Sequence, residues 1–306
     1  MSDLPLKSHA GDRALAGKSQ PLAAGPTRLR ILRGELVLVA PLLVFICVAF
    51  NLPLLMTIAW SAVDPAKGGV TMQNYADFFG SSTYLAVIAR TARVALTVSA
   101  VCALVGYPLS YWMISLSRRG QQLALAIIVT SFWVSILVRT YAWIVVLGNA
   151  GLINRLLLEL GVIEKPIQFL YGELGVCIGM INVLLPFMLL PLYAAMMQVD
   201  PRLRQIAYTL GASSNQFFWR VFFPLTLPAL SATFVLIFIL SLGFYITPAI
   251  LGGGKVPLVA NMLDMLINQF PHWNLASAMA VVLLVLTLGL YGLYQKLRGS
   301  ALGGGQ

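Results

Sequence analysis

Side chains capable of covalent or acid–base chemistry are few in this sequence and far apart. His9 and His272 are the only histidines, and no apolar run contains a Ser/His/Asp set or paired carboxylates. The segment Gly252–Lys255 reads GGGK but lacks the G-x-x-x-x-G-K-[ST] spacing of a phosphate-binding loop. Acid–base catalysis needs such groups within hydrogen-bond reach of one another. The sequence therefore predicts a protein that is not an enzyme and binds no metal or cofactor itself.

A polar segment, residues 198–228, lies between two apolar runs and begins with the signals of a short helix. Asp200 followed by Pro201 is typical of a helix start. A carboxylate there caps free N–H groups, and the missing N–H of proline costs nothing because the first turn does not use it. Gly211 stands where a left-handed residue ends a helix. Apolar residues spaced i, i+3, i+4 and i+7 give one face, namely Leu203, Ile206, Ala207 and Leu210.

A second short helix is predicted directly after the first. Ser213 and Gln216 have the spacing of a capping box, and Pro224 is expected to end the helix because proline breaks the backbone ladder. Two short helices at an angle, placed between membrane spans, suit insertion into a groove of a partner protein. The alternative is an amphipathic helix that lies on the membrane surface.

The composition places the chain in a membrane. Apolar residues make up 59% of its 306 residues and charged residues only 10%. About 20 apolar residues in a helix cross the hydrocarbon core. Five charge-free runs qualify, and a sixth contains only Arg139: Leu36–Trp60, Val94–Leu116, Leu123–Leu147 (the run with Arg139), Leu174–Met197, Ala229–Ile250 and Leu275–Tyr294. The predicted fold class is an all-α integral membrane protein with six transmembrane helices.

Basic residues are unevenly distributed between the two sides that six spans create. With the N-terminus in the cytoplasm, thirteen fall on the cytoplasmic side: Lys7, Arg13, Lys18, Arg28, Arg30, Arg33, Arg118, Arg119, Arg202, Arg204, Arg220, Lys296 and Arg298. Seven fall outside: Lys67, Arg90, Arg93, Arg139, Arg155, Lys165 and Lys255. Cytoplasmic loops carry excess Lys and Arg, so both termini are predicted to be cytoplasmic. The net charge of +10 then indicates topology and contact with the lipid membrane, and no nucleic-acid partner is expected.

Three regions follow from these patterns. Residues 1–33 are polar, rich in Ala, Gly and Pro, and basic, which predicts a disordered cytoplasmic tail. Residues 34–298 form a single six-span domain that contains the polar segment 198–228, and residues 299–306 form a second cytoplasmic tail. A signal peptide at the N-terminus is the rival interpretation, but the apolar run is too long for one, which favours a retained anchor.

The polar segment resembles the coupling segment of ATP-binding-cassette (ABC) importer permeases. That family's motif is Glu-Ala-Ala, three residues, Gly, nine residues and Ile-x-Leu-Pro; here its Glu, first Ala and Leu are replaced. The resemblance assigns coupling to the ATPase to Gln205 (in place of Glu), Ala207, Gly211, Val221 (in place of Ile) and Pro224.

Most of the chain is similar to spermidine/putrescine-type permeases, through four motifs in the same order. They are SFWVSILVRTYAW (131–143), LGNAGLIN (147–154), LPFMLLPLYAA (185–195) and FILSLGFYITPAILGG (238–253). This resemblance implies an ABC importer permease (MetI-like) fold in a bacterial inner membrane. It also implies a heteromeric importer. Its subunits are this permease, a second related permease, two ATPases that use ATP and Mg, and an extracytoplasmic binding protein. Related systems carry opines or aminoethylphosphonate, so the solute does not transfer with the fold.

Four residues are candidates for the substrate path of a cationic amine. Trp133, Tyr141 and Tyr245 could meet an ammonium group through cation–π contact, although Tyr141 also fits an interfacial aromatic belt. Asp264 could attract the amine, or be a solvated acid on an outer loop. Its neighbours Leu263, Leu266, Ile267 and Phe270 predict a short helix packed on the bundle.

Two further function classes remain as alternatives. One is a self-sufficient secondary transporter or channel, but inverted repeats with broken helices mark many such carriers and no clear internal repeat is present in this sequence. A membrane enzyme would need the catalytic groups that the sequence lacks.

Overall fold

The computed structural model describes residues 27–64 and 68–303, with side chains for 39–64, 68–292 and 294–296. Within these ranges the chain is helical and forms no strand. The α-helices are α1 (Thr27–Ser61), α2 (Gln73–Gly80), α3 (Ser82–Ser115), α4 (Arg118–Trp133), α5 (Ile136–Leu147), α6 (Leu152–Glu159), α7 (Glu173–Met197), α8 (Pro201–Thr209), α9 (Ser214–Phe217), α10 (Phe223–Leu242), α11 (Ile246–Gly252), α12 (Val259–Asp264) and α13 (Trp273–Gly303). Two π-helical turns, Phe218–Phe222 and Met265–Gln269, follow α9 and α12.

Six helical stretches among the described residues are long and apolar enough to cross a membrane. They are Val39–Ser61, Ser82–Ser115, Ile136–Glu159, Glu173–Met197, Ser214–Leu242 and Trp273–Lys296. The prediction of an all-α membrane protein with six spans is therefore confirmed.

The predicted bounds of the third span were wrong. The run Leu123–Leu147 is not one helix, because α4 ends at Trp133 and α5 begins at Ile136, with Val134 and Ser135 in between. The third candidate span is Ile136–Glu159, composed of α5 and α6. No proline or glycine occurs between Trp133 and Ile136, so the sequence carried no signal for this break.

The fifth span begins fifteen residues before the predicted Ala229, within the polar segment, at Ser214. Pro224 was predicted to end a helix, but it lies in the first turn of α10. The π-helical turn explains the difference: the Phe223 N–H donates to the Phe218 carbonyl five residues back, and the ladder resumes where proline needs no N–H. The second short helix is therefore the first turn of a span.

The ends of the predicted tails also differ from the structure. Helix α1 begins at Thr27 rather than after Arg33, since nothing in this stretch breaks a helix. The rest of that predicted tail, residues 1–26, lies outside the described residues. Helix α13 runs to Gly303, five residues past the predicted domain end.

The chain divides into two compact units, with the boundary after Leu54. The described part of the first unit is helical, and its side chains from Val39 to Leu54 are exposed. Every contact discussed below belongs to the second unit, residues 55–303.

Helices α3, α7 and α10 form the centre of the second unit. Met180 and Met188 of α7 are fully buried in its apolar core. At Gly106 of α3, an added Cβ would lie 2.8 Å from the Met188 Cγ, so the two helices approach closely. The Tyr107 hydroxyl and the Thr226 hydroxyl lie 2.7 Å apart and link α3 to α10. Ala207 of α8 and Phe217 of α9 also pack on this core.

A smaller apolar cluster packs the segment around Asp264 against α2, α3 and α13. Its buried members are Phe78, Val87, Val259, Leu266, Ala276 and Met279. The predicted apolar stripe is confirmed for Leu263, Leu266 and Ile267, whereas Phe270 is 57% exposed. The π-helical turn ends at Gln269, before Phe270, which takes that ring off the helix.

Candidate functional site

Helix α8 begins as its sequence dictates. An oxygen of the Asp200 carboxylate accepts a hydrogen bond from the Arg202 N–H at 2.8 Å, and Pro201 occupies the first helical position. The cap satisfies one of the free N–H groups that every helix start leaves. The predicted start of the first short helix is confirmed.

The end of α8 is a Schellman turn centred on Gly211. Gly211 has φ +80°, its N–H donates to the Tyr208 carbonyl at 3.0 Å, and the Ala212 N–H donates to the Ala207 carbonyl at 2.9 Å. This pair of bonds is the pattern of a left-handed helix end. No atom lies within 4 Å of a Cβ built at Gly211, so the backbone angle alone favours glycine there.

Helix α9 starts with the predicted capping box. The Ser213 hydroxyl accepts from the Gln216 N–H at 3.2 Å, and the Gln216 side chain accepts from the Ser213 N–H at 2.8 Å. Phe217, one residue later, is buried in the main core, so the second helix is anchored in the bundle at its first turn.

Tyr208 ties the two short helices together, a role that the sequence analysis did not assign. Its phenol oxygen accepts a hydrogen bond from Arg204 Nε at 3.0 Å, and its ring meets the Phe217 ring of α9 edge to face, with centroids 6.4 Å apart. Ser214 first, and then Arg204, lower the pKa of Tyr208 below its ordinary value, while the bond to Tyr208 raises the pKa of Arg204. The spacing of Arg204 and Tyr208, four residues on one helix, was the available signal.

The five predicted coupling residues lie on one continuous segment but differ in exposure. Ala207 and Val221 pack against the main core, whereas the Gln205 side chain, Gly211 and Pro224 are exposed. The predicted apolar face of α8 is only partly covered by this chain, since Ile206 is 54% and Leu210 82% exposed. The loop therefore presents an ordered apolar ridge, supported from behind by the core.

Asp264 and Tyr245 are brought together where α11 and α12 begin and end. The Asp264 carboxylate acts on the nearby Tyr245 hydroxyl, and it is the largest cause that raises the pKa of Tyr245. The Asn268 amide donates to the same carboxylate at 2.6 Å. Asp264 is half-buried and Tyr245 is 41% exposed, so the pair remains open to a solute.

Asn261 and Thr91 hold this pair in position, and sequence reasoning missed both. The Asn261 amide donates to the Tyr245 carbonyl at 3.1 Å and accepts from the Leu258 N–H at 3.2 Å. The Thr91 hydroxyl of α3 accepts from the Val259 N–H at 3.0 Å. These bonds join residues up to 168 positions apart, so no local sequence pattern could predict them.

The other two predicted path residues are not part of this pair. Trp133 ends α4 and is 86% exposed, and Tyr141 lies on α5 and is 59% exposed. Neither ring contacts another aromatic ring among the described residues. Arg139, also on α5, has a buried Nε that lacks a hydrogen-bond partner in the described part of the chain.

Comparison with known proteins assigns the family. Residues 103–299 match the model of the binding-protein-dependent transport system inner membrane component. The spermidine/putrescine transport system permease protein PotB of Haemophilus influenzae is 35% identical over 229 residues, 74% of this chain and 79% of that protein. The 2-aminoethylphosphonate transport system permease protein PhnU of Salmonella typhimurium is 29% identical over 265 residues, 86% of this chain and 92% of that protein.

Solved structures agree on the fold. A chain of a bacterial ABC transporter that imports the acidic polysaccharide alginate superposes with a TM-score of 0.63 at 20% identity, over 88% of this chain and 96% of that one. A chain of a bacterial alginate ABC transporter in complex with an alginate pentasaccharide-bound periplasmic protein superposes with a TM-score of 0.66 at 19% identity. The superposition covers 88% of this chain and 93% of that one. The chain therefore belongs to the binding-protein-dependent transport system inner membrane components and is a permease of an ABC importer.

Proposed function

We propose that this permease translocates a polyamine such as putrescine or spermidine. The observation that carries the proposal is the open Asp264–Tyr245 pair, a carboxylate and a phenol on the surface of a polytopic chain. The 35% identity to a spermidine/putrescine permease supports the same solute class.

The chemistry of the pair suits an alkylammonium ion. Opposite unit charges about 4 Å apart attract by roughly 4 kcal/mol at an effective dielectric near 20, before solvent screening and desolvation reduce that figure. The Tyr245 ring adds a face for cation–π contact, and the Asn268 amide fixes the carboxylate. An amine handed over by a binding protein would meet fixed partners rather than mobile ones.

The rest of the machinery follows from the same proposal. The permease works with a second homologous permease, two ATP-binding subunits that hold ATP and Mg, and an extracytoplasmic binding protein. The coupling loop, with Gln205, Ala207, Gly211, Val221 and Pro224, docks on an ATPase subunit. Its ordered, partly uncovered apolar ridge supports this role, because such a ridge fits a groove in a partner. ATP-driven closure then moves the ridge and shifts the spans between two states.

The proposed orientation places both termini in the cytoplasm of a bacterial cell. Reporter fusions at Gly120 and Ser214 should then report the cytoplasm, and fusions at Gly161 and Lys255 the outer side. The physical reason is the excess of lysine and arginine on the proposed cytoplasmic side. An outer location for Ser214 would exclude contact between the coupling loop and a cytoplasmic ATPase.

A second candidate solute is 2-aminoethylphosphonate. The relative named for its transport covers 86% of this chain, more than the polyamine relative does, though at lower identity. This solute also carries an ammonium group, so the Asp264–Tyr245 pair fits it as well. Opine transport would use the same machinery, whereas a self-sufficient secondary transporter would need no ATPase.

Substitution of Asp264 tests the polyamine proposal. In cells that carry the complete importer, Asp264→Asn should lower putrescine uptake about tenfold, because the attraction for the ammonium group is lost while side-chain shape is kept. Asp77→Asn is the matched control, since Asp77 also accepts an amide hydrogen bond from a residue four positions away, Gln73 at 2.7 Å. Uptake of radiolabelled putrescine and 2-aminoethylphosphonate, and membrane abundance, are measured for each variant.

Three outcomes would count against the proposal. Equal uptake by Asp264→Asn and wild type would remove Asp264 from the path. Uptake of 2-aminoethylphosphonate without uptake of putrescine would favour the second candidate. Uptake that persists when the ATPase subunits are deleted would favour a secondary transporter.

A further inference from the structure

An aromatic-walled pocket lies beside the coupling loop, between α3 and the start of the fifth span. Its volume is about 480 Å³, within the usual size range of small-molecule sites. Its lining residues are Tyr107, Pro108 and Tyr111 of α3, Ser214 and Asn215 of α9, and Phe218 and Trp219 of the π-helical turn. None of the seven is charged. The pocket is remote in sequence from the Asp264–Tyr245 pair and has no part in the function proposed above.

The walls of the pocket are held in place by ring-to-ring contacts. The Tyr111 and Phe218 rings meet edge to face with centroids 5.0 Å apart, and the Phe218 and Trp219 rings do the same at 5.0 Å. Phe223 supports Trp219 from the next turn at 5.3 Å. The Tyr107 hydroxyl is fixed by Thr226. A set of rings fixed in this way offers aromatic faces that do not have to be ordered when a ligand arrives.

The π-helical turn is what directs Trp219 to this place. Within Phe218–Phe222 the backbone makes the wider π-helical turn, and such turns inside α-helices are frequent at functional sites. Trp219 is 58% exposed although its neighbours Phe217 and Phe222 are buried. Of the described aromatic side chains, only Tyr208 and Tyr171 have a basic side chain over their ring, so the Trp219 face is not occupied by Arg220.

A polar acceptor completes the wall. The Asn215 side chain is exposed, lines the pocket and makes no hydrogen bond to other described residues, so its carbonyl oxygen is available. Aromatic faces attract cations, most strongly the face of tryptophan, and an ammonium group also needs oxygen acceptors for its N–H groups. Aromatic faces, a free carbonyl and the lack of a basic residue among the lining residues favour a cationic amine over an anion.

We propose that this pocket is a second amine site, which holds an alkylammonium group at the coupling-loop end of the permease. The inference rests on the proposed amine specificity and extends it to a pocket that shares no residue with the Asp264–Tyr245 pair. The amine can arrive from two sources, as solute leaving the path or as amine already present in the cytoplasm. In both cases the bound cation lies against Phe218 and Trp219, within the turn that joins the coupling loop to its span.

Direct binding tests the pocket. The complete importer in lipid nanodiscs, without binding protein, is titrated with radiolabelled putrescine, and the Kd given below is that of the binding step that remains in Asp264→Asn. Trp219→Leu should raise the Kd about tenfold, and Trp219→Phe about threefold, because phenylalanine keeps a weaker aromatic face. Asn215→Asp should lower the Kd about fivefold, since it adds a carboxylate to the pocket. This gain of affinity cannot result from misfolding.

Trp112→Leu is the matched control. Trp112 is 54% exposed and lies on α3 next to Tyr111, but it does not line the pocket. Its variant should bind putrescine as the wild type does. Uncharged butanediol should compete at least tenfold more weakly than putrescine, because it lacks the cation.

The source of the amine is resolved with vesicles. Putrescine loaded on the ATPase side should slow uptake by the wild type more than uptake by Trp219→Leu if cytoplasmic amine occupies the site. If putrescine on the ATPase side slows uptake by both proteins equally, and the Kd changes as stated above, the site is occupied by solute that is leaving the path.

Several results would overturn the inference. They are an unchanged Kd in Trp219→Leu, an unchanged or higher Kd in Asn215→Asp, and equal competition by butanediol, which would identify an ordinary apolar cavity. Failure of the proposed function is distinguishable, because there the wild type takes up no putrescine at all. A wild type that takes up putrescine, with a Trp219→Leu variant of unchanged Kd, rejects the second site alone.

Discussion

The coupling loop and the Asp264–Tyr245 region are both built from short helices, yet they are held in opposite ways. The loop from Asp200 to Gln216 is closed by caps whose partners lie two to five residues apart in sequence. The Asp264–Tyr245 region is closed by bonds that join α3, α12 and the start of α11, such as the Thr91–Val259 bond. The first structure is specified locally and the second by the packing of distant helices.

This difference matters for how each region can move. A locally closed loop keeps its shape when the helices around it shift, which is what a rigid connection to a partner requires. A region closed by bonds between helices must change when those helices change position. In an importer that alternates between two states, the first arrangement suits transmission of force and the second suits a site that opens and closes.

The largest expected effect is at Gly211. Gly211→Leu forces a branched side chain into a left-handed conformation, at a cost of about 1–2 kcal/mol, and should lower ATP-driven uptake more than tenfold with near-normal membrane abundance. Gly211→Asn should retain most uptake, because asparagine tolerates this conformation. Gly161→Leu is the matched control: Gly161 also has positive φ and open space, but lies after α6. Normal uptake by Gly211→Leu would show that the loop does not transmit the ATPase motion.

A smaller effect is expected where the helices next to the Asp264–Tyr245 pair depend on close packing. An added Cβ at Gly179 of α7 would approach the side chains of Leu251 and Thr247 of α11, the latter at 2.6 Å. Gly179→Ala should therefore push α11 away from α7. It should lower the free energy of unfolding by about 1–3 kcal/mol, and hence the melting temperature, and reduce uptake several-fold. Gly289→Ala in α13, where nothing lies within 4 Å, should be neutral. Differential scanning fluorimetry in detergent measures the melting temperature of both variants. Equal melting temperatures would contradict the idea that contacts between distant helices hold this region together.

The same contrast explains what could be predicted from the sequence. The caps at Asp200, Gly211 and Ser213 were recognisable because each rests on backbone chemistry within a few residues. The six spans were recognisable because apolar length alone sets them. The break after Trp133 was not, because no proline or glycine marks it. The π-helical turn at Phe218 was not, because Pro224 was expected to end a helix rather than to follow such a turn.

The candidate site shows the same limit. Asp264 and Tyr245 were both singled out by residue type, but their contact depends on the fold that places α11 beside α12. Trp133 and Tyr141 were singled out on the same grounds, and both side chains are mostly exposed. Residue chemistry therefore proposed the candidates, and only the positions of the helices could choose among them.

The smallest effect is expected at Gln205, where the coupling motif of the family has a glutamate. The Gln205 side chain is exposed, so a carboxylate there would lose little hydration, and Arg202 lies one turn before it on the same helix. Gln205→Glu should therefore change uptake by less than about twofold, since an exposed ion pair contributes only about 0–1 kcal/mol. Gln205→Arg is the paired variant, because it adds a third basic side chain to α8 beside Arg202 and Arg204 and should weaken the helix slightly. ATP-driven uptake and ATPase co-purification measure both variants. A loss greater than fivefold in Gln205→Glu, at normal abundance, would mean that the ATPase recognises the amide of Gln205 itself. The coupling loop would then contribute a specific polar contact as well as a locally closed shape.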